Sequence, residues 1–144
     1  MAGIRRKARI VALQTLYELD CTRHKADEIL THLATEKLLP QEAISFSEEL
    51  VQGVVQNKSR LDGLITRLAP AFPTKQMSII DINILRLAIF EILSDNNIPV
   101  KVTINEAVEL AKGFGSDSSS RLINGVLGAV VARMAPNPNS QKLN

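Results

Sequence analysis

The sequence contains one cysteine and two histidines, side chains that often bind transition metals or take part in nucleophilic catalysis. Cys21, His24 and His32 are close together in the sequence. A zinc site needs three or four ligands at tight spacing, and a nucleophile needs a base that is itself held in position. These residues meet neither requirement, so the sequence predicts no metal site, no cofactor and no enzyme activity. A single cysteine also cannot form an internal disulfide bond, which favours a reducing cytoplasm.

Basic residues are concentrated at the N-terminus. Residues 1–9 contain no acid, and they carry four cations within five positions: Arg5, Arg6, Lys7 and Arg9. The remaining chain has 13 basic and 15 acidic residues. A faintly negative body with a cationic edge predicts contact with a polyanion such as RNA or DNA. The alternative interpretation is a solvated first turn of a helix, and composition alone leaves both open.

A serine-rich segment nearer the C-terminus is a second candidate anion site. Residues 116–120 read SDSSS and precede a helical apolar pattern, with Arg121 directly after them. Unpaired amides of residues 118–120 at a helix start would hold one phosphate group. An ordinary helix cap explains the same residues, so both interpretations remain. The preceding residues 113–115 lack the pattern of a nucleotide-binding loop.

A central helix is expected to position the two candidate anion sites. Residues 79–93 contain eleven apolar side chains in fifteen positions. The four polar residues do not share one face of the helix: Asp81, Asn83, Arg86 and Glu91. A helix that is apolar on nearly every side is a buried helix. A buried Arg86 needs a partner, and Glu106 or Glu109 is predicted for that role.

The rest of the chain shows apolar residues at helical spacing, and no segment alternates as a strand would. This pattern predicts an all-α fold of about seven helices. A capping box at residues 45–48 predicts one helix start, and a break is expected near Asn57. We expect a single domain over residues 1–135, with a disordered polar tail at 136–144. Neither a secretory signal nor a membrane span is predicted.

Three segments together resemble the NusB family of bacterial transcription antitermination factors. They are RRKARIVALQTLYELD, DINILRLAIFEIL and, at residues 102–127, VTINEAVELAKGFGSDSSSRLINGVL. The resemblance runs from about Arg5 to Met134, and its third segment is the most specific. It implies two three-helix bundles packed across each other around the central buried helix. It also implies a cytoplasmic protein that binds boxA-type single-stranded RNA with NusE, a small-subunit ribosomal protein. Together they join the RNA polymerase antitermination complex, which supports ribosomal RNA transcription.

The resemblance further implies which residues contact RNA. The arginine-rich first helix of the family falls on Arg5, Arg6, Lys7 and Arg9. A second patch of the family, at the start of the last helix, falls on Asp117, Ser118, Arg121 and Leu122. Some relatives have an aromatic residue at the position of Leu122, and base stacking is worth about 1–3 kcal/mol. Because leucine cannot stack, we expect weak RNA binding by the isolated chain.

Two other functions are considered. One is a helical protein-interaction module whose basic patch is incidental. The other is an RNA-binding domain related to those of ribosomal RNA cytosine methyltransferases, although these 144 residues contain no methyltransferase region. Replacing Arg5 and Arg9 with alanine is predicted to weaken RNA binding and flatten its salt dependence if the antitermination interpretation is correct.

Overall fold

The computed structural model describes residues 2–94 and 96–134, and over these residues it contains helices and turns but no β-strand. The helices are, in chain order, α1 (Ala2–Cys21), α2 (Ala26–Glu36), α3 (Gln41–Leu68), α4 (Ile79–Leu93), α5 (Val100–Phe114) and α6 (Ser119–Ala132), with a 3₁₀ turn at Thr74–Gln76. The all-α prediction is confirmed. No helix in these described ranges is long and apolar enough to cross a membrane. The tail predicted at 136–144 lies outside the described residues.

Helix α3 contains the break that the sequence predicted. Asn57 has φ −114° and ψ 16°, outside the helical region, so α3 consists of two helical segments that meet at a kink. The predicted helix start at residues 45–48 is wrong. The helix begins one turn earlier, where the Ala43 amide donates to the Pro40 carbonyl at 3.0 Å. Proline suits this place because it has no N–H group to leave unpaired at the start of a helix.

The chain forms two compact units, Met1–Gln56 and Asn57–Asn144. In the first unit α1 packs against α2. The hydroxyl of Ser47 in α3 also donates to the Ala8 carbonyl oxygen in α1 at 2.8 Å, and Ser47 is fully buried. In the second unit α4 packs against both α5 and α6.

Helix α4 is the core element of the second unit, as its apolar sequence predicted. Eleven of its fifteen residues are buried, and the buried set includes all four polar residues. The hydroxyl of Ser78 caps the helix by accepting the amide of Asp81 at 3.0 Å. Each fully buried leucine or isoleucine here contributes about 1.5–3 kcal/mol, so α4 anchors the two helices that pack on it.

Arg86 of α4 is held by a carboxylate from the second segment of α3. Its Nε and Nη2 atoms donate to the two oxygens of Asp62, each at 2.8 Å. Its Nη1 donates to the Asn83 amide oxygen at 3.2 Å. Two parallel charge-assisted bonds of this kind are the strongest form of ion pair. The prediction that this arginine needs a partner is confirmed, and Asp62 is a partner that the prediction did not name.

Candidate nucleic-acid interface

The basic residues predicted to contact RNA lie in the first turns of α1, and they differ in exposure. Arg5, Arg6 and Lys7 are exposed, whereas Arg9 is only 5% exposed. Arg5 and Arg9 are four residues apart, so they lie on the same side of the helix. We call these four residues the α1 basic patch. Three of its members can reach solvent, while the fourth is packed against the protein.

The α1 basic patch rests on an aromatic residue that the sequence analysis did not identify. The guanidinium carbon of Arg5 lies over the ring of Phe46 in α3, 4.7 Å from its centroid. The guanidinium carbon of Arg9 lies 5.5 Å from the same centroid. A cation–π contact at an exposed site is worth about 0.5–1 kcal/mol. The scarcity of aromatic residues, 3% of the chain, was the available signal that Phe46 has a specific role.

Ser47, the residue after Phe46, fixes α3 against α1 beside the α1 basic patch. Ser47 follows Phe46, and its buried hydroxyl donates to the carbonyl of Ala8, which lies between the two arginine positions. A buried hydroxyl without a partner would cost about 1–3 kcal/mol, so this bond favours one register of the two helices. The ring of Phe46 is therefore kept beneath the arginines.

The electrostatics of this helix start favour an external anion. The first turn of α1 contains no acidic residue. Positive charges there oppose the partial positive charge of the helix N-terminus, an effect of about 0.3–1 kcal/mol per group. Among residues 2–94 and 96–134, no carboxylate is paired with Arg5 or Lys7. A phosphate group would supply a negative charge beside Arg5 and Lys7.

The second set of predicted residues lies at the start of α6. Asp117, Ser118 and Arg121 are exposed, and Leu122 is half-buried. Arg121 and Leu122 follow Ser118 by three and four residues, so the three share one side of the helix. We call these four residues the α6 patch. Its makeup is mixed, with one cation, one anion, one hydroxyl and one aliphatic side chain.

The anion site predicted from three serine amides is smaller than expected. The Ser119 amide donates to the Ser116 carbonyl at 3.1 Å, and the Ser119 hydroxyl accepts the Ser116 amide at 2.9 Å. Ser119 is 1% exposed, so both of its polar groups are used within the turn. Ser118 makes no side-chain cap to the helix and is exposed. This leaves Ser118 as the serine of the α6 patch that faces solvent.

A glycine makes this tight turn feasible. A Cβ atom built on Gly115 would overlap the side chain of Ser119 and lie 2.9 Å from the Ala111 carbonyl oxygen. Any larger residue would therefore push apart the end of α5 and the start of α6. Gly115 therefore also positions the α6 patch.

The cysteine and histidines are dispersed on the surface. Cys21 is exposed, His24 lies 2.7 Å from a carboxylate oxygen of Glu18, and His32 pairs with Glu36 at the same distance. Within the described part of the chain, no group of three metal-binding side chains is assembled.

One groove of about 290 Å³ lies between α2 and α3 in the first unit. Its floor includes Leu30, Val51 and Val55, with the carboxylates of Asp27 and Glu48 beside them. The residues that line it include no serine, cysteine, histidine or lysine. Asp27 and Glu48 are the titratable residues of its lining.

Comparisons with known proteins agree with the fold and sequence pattern. A family profile described as the NusB family matches residues 6–132. The transcription antitermination protein NusB of Dehalococcoides mccartyi (strain CBDB1) is 49% identical over 142 residues, covering 99% of each chain. The protein of the same description from Roseiflexus sp. (strain RS-1) is 49% identical over 135 residues, covering 92% of this chain and 95% of its own.

Solved structures show the same helical fold. The structure of T. maritima NusB superposes with a TM-score of 0.83 at 31% identity, covering 94% of this chain and 96% of its own. A chain in a crystal structure of the antitermination factors NusB and NusE in complex with dsRNA gives a TM-score of 0.79 at 22% identity. That match covers 93% of this chain and all of the other chain. At 22% identity it shows similarity of fold alone.

Proposed function

Because the chain belongs to the NusB family, we propose that it is an RNA-binding transcription antitermination factor. It binds boxA-type RNA together with NusE and tethers that RNA to the transcribing RNA polymerase, which supports ribosomal RNA transcription. Its role is regulatory rather than catalytic, and it is exercised in the cytoplasm, where bacterial transcripts are made. Residues 1–135 serve as one RNA-binding domain in this scheme.

The observation that carries this proposal is the exposed charge of the α1 basic patch. Arg5 and Lys7 are exposed, and neither is paired with a carboxylate in the described part of the chain. Cations of this kind bind RNA phosphates and release counterions, which gives affinity without sequence preference. Arg9 contributes from within, because it is packed beside Phe46 instead of facing solvent.

The α6 patch supplies shorter-range contacts in the same function. Arg121 binds a phosphate, whereas Asp117 and Ser118 accept hydrogen bonds from base edges or ribose hydroxyl groups. Such contacts distinguish one RNA from another, because unstacked bases expose their polar edges. Leu122 packs against a base without stacking on it. Sequence preference therefore depends more on the α6 patch than on the α1 basic patch.

The relatives support the partner assignment. The proteins that match over nearly the whole chain carry the description transcription antitermination protein. The NusB chain of similar fold was crystallised with NusE and dsRNA. We extend both properties to this chain.

An RNA mobility-shift assay tests the proposal. The full chain is titrated into a boxA-like single strand, a scrambled strand of the same composition and a duplex, with and without NusE. We expect the boxA-like strand to bind more tightly than the scrambled strand, with a further gain in affinity when NusE is added. Equal binding of all three RNAs in the presence of NusE would favour the alternative of a protein-interaction module with an incidental basic patch.

A further inference from the structure

Arg5 contacts the ring of Phe46 and is nevertheless exposed to solvent. The guanidinium carbon of Arg5 lies 4.7 Å from the ring centroid, with the group placed over the ring. Arg5 is exposed although it makes this contact. A guanidinium group is planar and weakly hydrated on its faces, so its outer face is suited to another flat partner.

We propose that Arg5 and Phe46 together form a seat on which one unpaired RNA base stacks. The proposal deepens the RNA-binding function proposed above and rests on it. The base lies on the outer face of the Arg5 guanidinium, and the ring of Phe46 supports the inner face. RNA-binding proteins use both aromatic rings and arginine planes as surfaces for unstacked bases.

The surroundings hold this seat in place before RNA arrives. Arg9, one helical turn from Arg5, lies 5.5 Å from the same ring and is only 5% exposed, so it is packed inside the protein beside this ring. The buried bond from Ser47 to the Ala8 carbonyl keeps α3 aligned with α1 at this level. Arg5 is therefore the member of the pair that RNA can cover.

The charge around the seat suits a nucleotide rather than a neutral ring. Lys7 is exposed two residues from Arg5 and has no carboxylate partner among the described residues. A phosphate adjacent to the stacked base can bind this ammonium group. The N–H edges of Arg5 remain in the plane of the guanidinium, so stacking does not prevent them from donating to a phosphate or ribose oxygen.

A charge-conserving substitution separates stacking from simple phosphate binding. Arg5→Lys keeps the positive charge but removes the flat surface, and Phe46→Leu removes the ring while keeping an apolar side chain. We expect each variant to bind a boxA-like single strand about tenfold more weakly than the unaltered chain, as loss of one base stack predicts. The salt dependence of binding should stay unchanged, because no charge is lost. Phe46→Tyr retains a ring and should restore affinity.

The stacked base is located with abasic RNAs. In each RNA one base is removed in turn, and affinity for the unaltered chain is compared with affinity for Arg5→Lys. We expect one position at which base removal costs the unaltered chain about tenfold and costs the variant almost nothing. A fluorescent 2-aminopurine at that position should be quenched on binding to the unaltered chain and less so with the variant.

Controls keep a folding defect distinct from loss of the seat. Arg23→Lys makes the same exchange at another exposed arginine of the first unit and should bind as the unaltered chain does. Urea unfolding of Phe46→Leu and Arg5→Lys identifies any loss of stability. If both variants bind intact and abasic RNAs as the unaltered chain does, the stacking seat is wrong while RNA binding stands. If the unaltered chain with NusE does not prefer the boxA-like strand, the proposed function fails as well.

Discussion

Arginine has opposite environments in the two units of this protein. In the second unit, Arg86 is buried in α4, and both oxygens of Asp62 accept bonds from it at 2.8 Å. In the first unit, Arg5 is exposed and lies over an aromatic ring, with no carboxylate partner in the described residues. One guanidinium has its charge neutralised inside the protein, whereas the other presents its charge to solvent.

The difference shows that the environment of an arginine, rather than its presence, indicates its role. A buried cation must be paired, because an unpaired charge costs several kcal/mol to remove from water. A ring supports a cation without neutralising it, so Arg5 can still bind an anion. We therefore expect the ion pair to serve stability and Arg5 to serve binding. Each prediction below tests one side of this contrast.

The largest effect is expected on the paired side. Asp62→Ala removes the carboxylate that accepts bonds from Nε and Nη2 of the buried Arg86 guanidinium. Breaking a fully buried pair costs about 3–5 kcal/mol, and since the Asp62 side chain is 33% exposed we expect a loss nearer 2–3 kcal/mol. Equilibrium urea unfolding measures this change. Glu49→Ala, at an exposed position of α3, is the matched control and should stay within about 0.5 kcal/mol. Unchanged stability of Asp62→Ala would mean that this ion pair is not structural.

The next effect concerns binding. Arg5→Ala combined with Lys7→Ala removes two exposed charges and should leave stability within about 0.5 kcal/mol. With two fewer phosphate contacts, the slope of log affinity against log salt becomes shallower by about 1.4, and affinity at 0.1 M salt falls about 20-fold. Fluorescence titration across a salt series measures both quantities. Arg23→Ala with Lys25→Ala removes the same charge from exposed positions, and equal losses in the two double variants would show that position does not matter.

The smallest effect is expected in the α6 patch. Arg121→Ala removes one exposed cation, so the salt slope should change by about 0.7 and affinity by about fivefold. The same titration measures it, with Arg67→Ala as the control at another exposed position of the second unit. If Arg121→Ala weakens binding more than the double variant in α1 does, the α6 patch is the main contact and the contrast drawn here between the two arginines must be revised.

Much of the fold could be predicted from local pattern. The apolar period predicted an all-helical chain, the composition of residues 79–93 predicted a buried α4, and Asn57 was correctly placed at a break. The helix start predicted at residues 45–48 was wrong, because α3 already begins at Gln41 and the cap residue of that pattern, Ser45, lies inside the helix. The neighbouring Ser47 uses its hydroxyl to bind α1. A capping motif is a local preference, and a tertiary contact can override it.

The candidate site was predictable only in part. The position of the α1 basic patch followed directly from the sequence, because charge and helical phase are properties of neighbouring residues. The burial of Arg9 could not be predicted from the sequence. Substituting a buried residue would change stability as well as RNA binding, so Lys7 replaces Arg9 in the double variant. The role of Ser119 was also missed, because only the folded turn shows that its amide and hydroxyl bind Ser116.

What the sequence alone determined is a helical chain with a hydrophobic central helix and a cationic first turn. Both are set by side-chain type and by a period of about 3.6 residues, which act along the chain. The tertiary structure alone decided that Phe46 lies beneath Arg5 and that Asp62 pairs with Arg86. The Arg86 contact joins residues 24 positions apart, and the bond that aligns Phe46 with α1 joins residues 39 apart. Several side chains of suitable type compete for such distant partners, and only the packing of one helix on another selects among them.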